Sequence, residues 1–384
     1  MPQLSKPQAA GLALWSVGMV VARSGALTAV SLFLAKGLER KPNTVRPQLR
    51  EWCYEASAKR GQPRQELAVD ACFAPVLAWV LSWWEGKQLA LAVDATTLGQ
   101  RFVVLVVSVV YRGCAIPVAW TVLAATEKHA WRGEWLRMLR QVRAVVPRHF
   151  FVIVLADRGL YARWLFARIV RLGWHPVLRV NTGGTFRPAK NVHYQPLREL
   201  VPQPGTQWVG QGTAFQGPHR RLNCTLLARW DEGYRDPWVL VTDLAPSAGE
   251  ACWYGLRAWI EQGFKMTKRG GWQWPRTRMH DPQRATRLWL VVTVATLWLL
   301  SVGGLAEETL PGSTLLPLAD ADCPPSQPAT QLRLVSVFRQ GWITILVALL
   351  NQRHLPRGHF VPEPWPQVVQ DNTLRGTHEM RLAA

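Results

Sequence analysis

The stretch LALAVDATTLGQRFVVLVVSVVYRGCAIPVAWTVL, residues 89–123, decides how the chain is read. Residues 89–95, 102–111 and 115–123 are runs dense in Val and Ile, each of strand length, and Arg112-Gly113 makes a tight turn between the last two. Three consecutive strands follow. Beyond them, Trp131, Trp135, Leu139 and Val142 recur at three- and four-residue steps, so 131–146 reads as a helix. HFFVIVLAD (149–157) is a fourth strand, 161–172 a helix and HPVLRV (175–180) a fifth strand. The order βββαβαβ predicts an α/β core with a mixed sheet flanked by helices.

The rest of the chain is placed around that core. Residues 181–247 lose helical periodicity and carry β-like pieces, RLNCTLLARW (221–230) and WVLVTDL (238–244); the segment is too long for an ordinary loop and predicts a β-rich insertion. A helix resumes at Ser247 and runs to about Arg269, where Gly270-Gly271 stops it. Upstream, 11–22 and 27–38 read as helices, and a third opens after Asn43 as its cap. The last two have the outline of a helix-turn-helix, displaying Arg46 and Arg50 beside Gln48 as donors for a DNA groove, although Pro47 fits a plain helical hairpin nearly as well. The Pro-rich tract 311–328 reads as a surface loop, 335–350 as a helix, and the tail from Arg353 as irregular. The expected organisation is an N-terminal helical region (1–87), the first part of the core (88–180), the β-rich insertion (181–247), the catalytic helix and end of the core (248–305) and a C-terminal loop and helix (306–384).

Composition limits the partners. The 384 residues carry 45 Lys+Arg against 25 Asp+Glu, a net charge of +20 spread along the chain, which favours polyanions, nucleic acid first and an anionic membrane surface second. Six cysteines without a C-x-x-C or a Cys/His pairing predict reduced thiols and exclude a structural zinc site. A weak likeness to a signal peptide at 11–22 lacks a cleavage site, so no export and a cytoplasmic protein are expected. Residues 288–306 hold no charge and are long enough to span a bilayer. Their Thr, Ser and Gly-Gly content, closely preceded by Arg284 and Arg287, fits a buried helix better.

Three acids carry the chemistry. Asp94 ends LALAVD and Asp157 ends FVIVLAD, where a carboxylate can face a crevice while its strand stays buried. Glu261 lies in Tyr254-x2-Arg257-x3-Glu261-x6-Lys268. On a helix turning about 100° per residue, these four share an arc of about 60°, with Leu256, Ile260 and Phe264 as an apolar stripe beside it. An ordinary Arg257–Glu261 ion pair on a solvated face would account for only two of the four. Three carboxylates suit magnesium or manganese, and two such ions about 3.5–4 Å apart serve phosphodiester displacement. Arg257, Lys265 and Lys268 would then hold phosphates. Asp243 and Glu250 are secondary acids, and Trp208, Trp230 and Trp238 are candidates for stacking on an extruded base.

In these features the chain resembles the DDE transposases of bacterial insertion sequences, of the insertion-sequence-four type, over roughly residues 88–305. The resemblance implies an RNase H-like core interrupted by a β-insertion, with Asp94, Asp157 and Glu261 as ligands of two Mg2+ or Mn2+ ions. It also implies that Tyr254, Arg257 and Lys268 contact transposon-end DNA, and that the enzyme cleaves at terminal inverted repeats and joins the 3′ hydroxyl to target DNA as a homodimer on double-stranded DNA. The alternatives are a catalytically inactive DNA-binding protein of the same descent, an RNase H-like nuclease, and a basic membrane protein built on 288–306.

Overall fold

The computed structural model describes residues 1–59, 64–127, 131–308 and 335–367; the Pro-rich tract and Cys323 lie outside these. The helices α1 (Lys6–Ala22), α2 (Leu27–Gly37), α3 (Pro42–Trp52) and α4 (Asp70–Ser82) precede the first strand. Helix α1 begins five residues before the expected Gly11, because Ser5 and Gln8 form a capping box: the Ser5 amide donates to Gln8 Oε1 at 2.9 Å and the Gln8 amide to Ser5 Oγ at 3.4 Å. Helix α3 starts ahead of Asn43, which is therefore not its cap. Pro42 takes the first helical position, where a missing N–H costs nothing. The sequence reading missed α4, whose apolar residues surround the helix without a 3.6-residue rhythm and include Pro75.

Strands β1 (Gln88–Leu98), β2 (Phe102–Tyr111) and β3 (Cys114–Ala124) form an antiparallel meander; α5 (Arg132–Arg143), β4 (Phe151–Ala156), α6 (Arg163–Arg171) and β5 (His175–Arg179) follow. Arg112 and Gly113 both have positive φ, as a two-residue type I′ hairpin turn requires. Strand β4 pairs parallel with β1 and with β5. The order β3-β2-β1-β4-β5, two antiparallel pairs followed by two parallel ones, is RNase H-like.

The strands of 181–247 continue this sheet. β6 (Thr185–Pro188), β7 (Gln195–Pro196), a short α7 (Leu197–Leu200), β8 (Gln207–Ala214), β9 (Leu222–Arg229) and β10 (Trp238–Thr242) extend it to ten strands, with β10 hydrogen-bonded to β5.

Alternation along β1 and β4 divides the core between two faces. Leu89, Leu91, Val93, Val152, Val154 and Ala156 point into the main core with α1, α4, α5 and α9 (Pro282–Glu308). Ala90, Ala92, Ile153 and Leu155 point the other way, toward Ile260 of α8 (Ala258–Lys265) and Leu256 in the turn just before it. The expected apolar stripe thus does dock the helix on the sheet.

Helix α9 contains the uncharged run 288–306 and is long and apolar enough to cross a membrane, yet 83% of its most apolar window is buried by protein. It packs on β3, α1 and α10 (Val337–Leu350). Gly303 and Gly341 lie where α9 and α10 cross, and a Cβ on either would run into the other helix's backbone. Indole donors fix the layers further: Trp120 Nε1 to Thr286 O (3.0 Å), Trp272 Nε1 to Thr296 Oγ1 (2.8 Å) and Trp342 Nε1 to Val20 O (2.7 Å).

After α10 the described residues 351–367 have almost no regular structure, as expected for this part of the tail, but they are tied down as a strap. The Phe360 amide donates to Trp83 O at 2.8 Å, and its ring meets Trp84 and Tyr111. Arg112 donates to Val361 O (2.7 Å), Glu307 (2.7 Å) and Glu308 (2.9 Å), and Trp365 packs on Phe151 and Trp253.

Candidate active site

Asp94 does not end its strand. β1 continues through Ala95-Thr96-Thr97 to Leu98, paired with β2 the whole way, so Asp94 is a mid-strand residue opposite Val106. It shares a face with Ala90 and Ala92, the face covered by α8. Asp157 directly follows β4 on the same face as Ile153 and Leu155. The parallel β1–β4 register runs from Gln88–Phe151 to Ala92–Leu155, and two residues further it sets Asp94 beside Asp157. Neighbouring strands lie about 4.8 Å apart, so the two carboxylates border one space. Continued from Ala156–Leu178, the β4–β5 register sets Arg179 next in the row.

The third acid arrives on a segment that changes pitch twice. The expected single α-helix over 247–269 is a 3-10 turn at Ala251–Arg257, an α-helix at Ala258–Lys265 and a π turn at Met266–Gly270. The arc computed for a uniform helix therefore does not apply as it stands. In the 3-10 portion residues three apart eclipse, which stacks Tyr254 directly on Arg257. Gly263 brings α8 close to the sheet: a Cβ there would come within 3.1 Å of Ala115 Cβ.

Arg257 joins the three acids. Its Nη2 donates to Asp94 Oδ2 at 2.7 Å and lies 3.7 Å from Asp157 Oδ2, while Nη1 bonds Glu261 Oε1. The i,i+4 ion pair weighed from the sequence does form, but as one arm of a four-residue cluster. Exposure rises outward: the side chains of Asp94 and Arg257 are 14% exposed, Asp157 36% and Glu261 46%. The cluster is most open on the Glu261 side.

Local bonds fix the acids' orientation. Asp94 Oδ1 accepts from the Ala95 amide at 2.8 Å, and Asp157 Oδ1 accepts from the amides of Gly159 (2.9 Å) and Leu160 (3.2 Å). Burial pushes the Asp94 carboxyl above its ordinary range; Arg257 and the Ala95 amide pull it down, and Asp157 and Glu261 add to the rise. Burial opposes the charge on Arg257, yet Asp94 foremost, with Tyr254, Glu261 and Asp157, holds its pKa above the usual value.

The other residues singled out from the sequence lie apart from this cluster or beneath it. Tyr254 is buried at 5% exposure, edge-on to Trp238 at 5.2 Å and under the Arg179 guanidinium at 6.0 Å, so it supports Arg257 from within. Burial raises its hydroxyl to about 12. Lys265 is exposed at the end of α8, and Lys268 is half-buried in the π turn, its pKa lowered by burial and by Arg269. They follow Glu261 by about one and two turns. Arg46 and Arg50 are exposed on α3, which packs on α1 and α2. Trp208 packs edge-on against Phe186, and Trp230 Nε1 donates to Tyr234 O at 2.8 Å. Asp243 pairs with His175 Nδ1 at 3.1 Å, at the end of β5 away from the cluster, and Glu250 precedes the 3-10 turn. Arg179 went unnoticed in the sequence, although the alternation in HPVLRV could have placed it on the face of Asp157.

The donor set fits a hard divalent ion: three carboxylates and no sulfur or imidazole. A cation already stands among them in the form of a guanidinium. Among the described residues no three acidic, His or Cys side chains form a closed metal-holding group, and Arg257 stands between these three acids.

A family model described as the transposase DDE domain matches residues 85–298, more than half of the chain. The chain belongs to this transposase DDE family. The matched DDE region contains Asp94, Asp157, Tyr254, Arg257, Glu261 and Lys268 and excludes Arg46 and Arg50. No curated protein matches the chain in sequence. A solved structure described as the crystal structure of a pre-cleavage Mos1 transpososome is similar at 12% identity, over 38% of this chain and 53% of that one, with a TM-score of 0.17. The DDE chain thus spans about half the length of that structure's chain.

Proposed function

We propose that the chain is the transposase of an insertion sequence of the insertion-sequence-four type. It cuts phosphodiester bonds at the terminal inverted repeats and joins the freed 3′ hydroxyl to target DNA, acting as a homodimer on double-stranded DNA at the bacterial nucleoid. The observation that supports this best is the convergence of Asp94, Asp157 and Glu261 on one guanidinium, from two adjacent parallel strands and the helix that covers them.

In this reading Asp94, Asp157 and Glu261 hold two Mg2+ or Mn2+ ions. When bound, such ions supply Lewis-acid activation of the attacking oxygen and charge stabilisation of the leaving one. The chain's own residues do the rest. The Ala95, Gly159 and Leu160 amides aim the two aspartates into the shared space. Tyr254, wedged against Trp238 and Arg179, holds the 3-10 turn so that Arg257 points at the acids. Lys268, the remaining member of the Tyr-Arg-Glu-Lys signature, contacts the DNA backbone with Lys265 and the Arg46/Arg50 helix, and the net charge of +20 draws the duplex in.

Glu261→Gln tests the reading. The variant should bind inverted-repeat DNA about as well as the parent in a gel-shift assay and lose Mg2+-dependent strand cleavage by at least about a hundredfold. Undiminished cleavage would refute the assignment.

A further inference from the structure

We propose that Arg257 is the resident counter-ion of the carboxylate site: it stands where the divalent cation binds and is displaced when that cation arrives. The inference rests on the metal-site reading above. Arg257 reaches the same three acids that the reading gives to the metal, with one prong of its fork on Asp94 at 2.7 Å, the other on Glu261, and Asp157 3.7 Å away. A planar fork can bridge two separate carboxylates in this way.

Its polar contacts lie at the tip. The Nε atom is buried and has no hydrogen-bond partner, and the guanidinium's bonds are made by its two Nη atoms to the acids. Arg257 also sits at the joint between the 3-10 turn and α8, beside the most exposed acid, Glu261, so a swing outward needs no rearrangement of the sheet. Guanidinium and divalent ion therefore compete for one set of oxygens, and each weakens the other's binding by the same factor. The displaced guanidinium is left at the rim of the site, free to take a substrate phosphate. This gives the arginine two anionic partners in succession.

The test is a Mn2+ titration of the full chain without DNA, following free Mn2+ by electron paramagnetic resonance, for the parent, Arg257→Gln and Asp94→Asn. Arg257→Gln should bind Mn2+ about tenfold more tightly than the parent, or better. Its melting temperature should be lower without metal and recover on Mn2+ addition by more than the parent's rises. Equal or weaker Mn2+ binding by Arg257→Gln, with binding still abolished by Asp94→Asn, overturns the inference and leaves the metal site standing. Parent-like binding by Asp94→Asn, or no binding by any of the three, overturns the site reading and the inference with it. Should Arg257→Gln fail to fold even in Mn2+, Arg257→Lys decides by the same titration, since it keeps the charge but loses the fork: tighter binding supports the inference and unchanged binding overturns it.

Discussion

Asp94 and Asp157 stand beside one another on neighbouring parallel strands, set there by a register that runs without a slip from Gln88–Phe151 to Ala92–Leu155. A slip of one residue would turn one acid into the main core, because alternate residues face opposite sides. The small side chains of Ala90 and Ala92 on the shared face leave room for α8, and α8 carries Glu261 to the same space. The pairing of the acids is thus a property of the sheet.

The approach of α8 depends on Gly263. Gly263→Leu should overpack its contact with Ala115, destabilise the protein by about 1–3 kcal/mol in urea unfolding and reduce cleavage further by lifting Glu261 from the aspartates. Unchanged stability and cleavage would mean that the helix is not held at this point.

Arg112 combines a positive φ with a nearly buried ion pair to Glu307 and Glu308 and a bond to the strap at Val361. Arg112→Ala removes the guanidinium from two acids at the end of α9 and should cost about 3–5 kcal/mol. Arg112→Lys, which keeps charge but loses the fork, should cost less. Equilibrium unfolding of the two variants checks the order.

Tyr254 gives a pH signature. Its hydroxyl is raised from 10.0 to about 12 in the folded chain by burial, against the pull of Arg257 and Arg179. A raised value means the folded state keeps its proton longer than the unfolded one, so this stability is fully present below about pH 10 and is lost between about pH 10 and 12. Tyr254→Phe should remove about 2–3 kcal/mol of alkaline destabilisation, read as a flatter stability profile over that window. An identical slope in parent and variant would count against burial of this hydroxyl.

Cys53 and Cys224 are buried, and burial pushes both thiols up to about 12. Neither should react with a thiol-directed reagent near about pH 8 until the chain unfolds. Mass mapping of the labelled cysteines in native and denatured protein would show this, and rapid native labelling of either would contradict it.

Much of this was legible because Val- and Ile-rich runs have few other uses: the five core strands, their order and the turn at Arg112-Gly113 all follow from residues 89–180. The two aspartates were recognisable for the same reason, as the polar exceptions in apolar strands. The continuation of β1 past Asp94 was hidden because Asp, Thr and Thr resemble a turn until the β2 partner is known. The 3-10 and π turns around α8 were hidden because a repeat of apolar positions reports direction around an axis and not pitch. The bond from Arg257 to Asp94 was hidden because a helical wheel cannot show that Asp94, distant in sequence, lies at the reach of its side chain.

The continuity of the ten-stranded sheet has a consequence for how such a chain can vary. Strand β5 leads out at Val180 and β10 leads back in at Val239, and the Val180 amide donates to Val239 O at 2.8 Å. Seen from the core, β5 and β10 are a hairpin, and the chain between them is its overgrown turn. Length and sequence there can change while the ends stay clamped, so long as whatever remains still covers the β10 edge, which would otherwise be free to recruit a strand from another molecule. The insertion is thereby both the most replaceable part of the sheet and the guard of its open side.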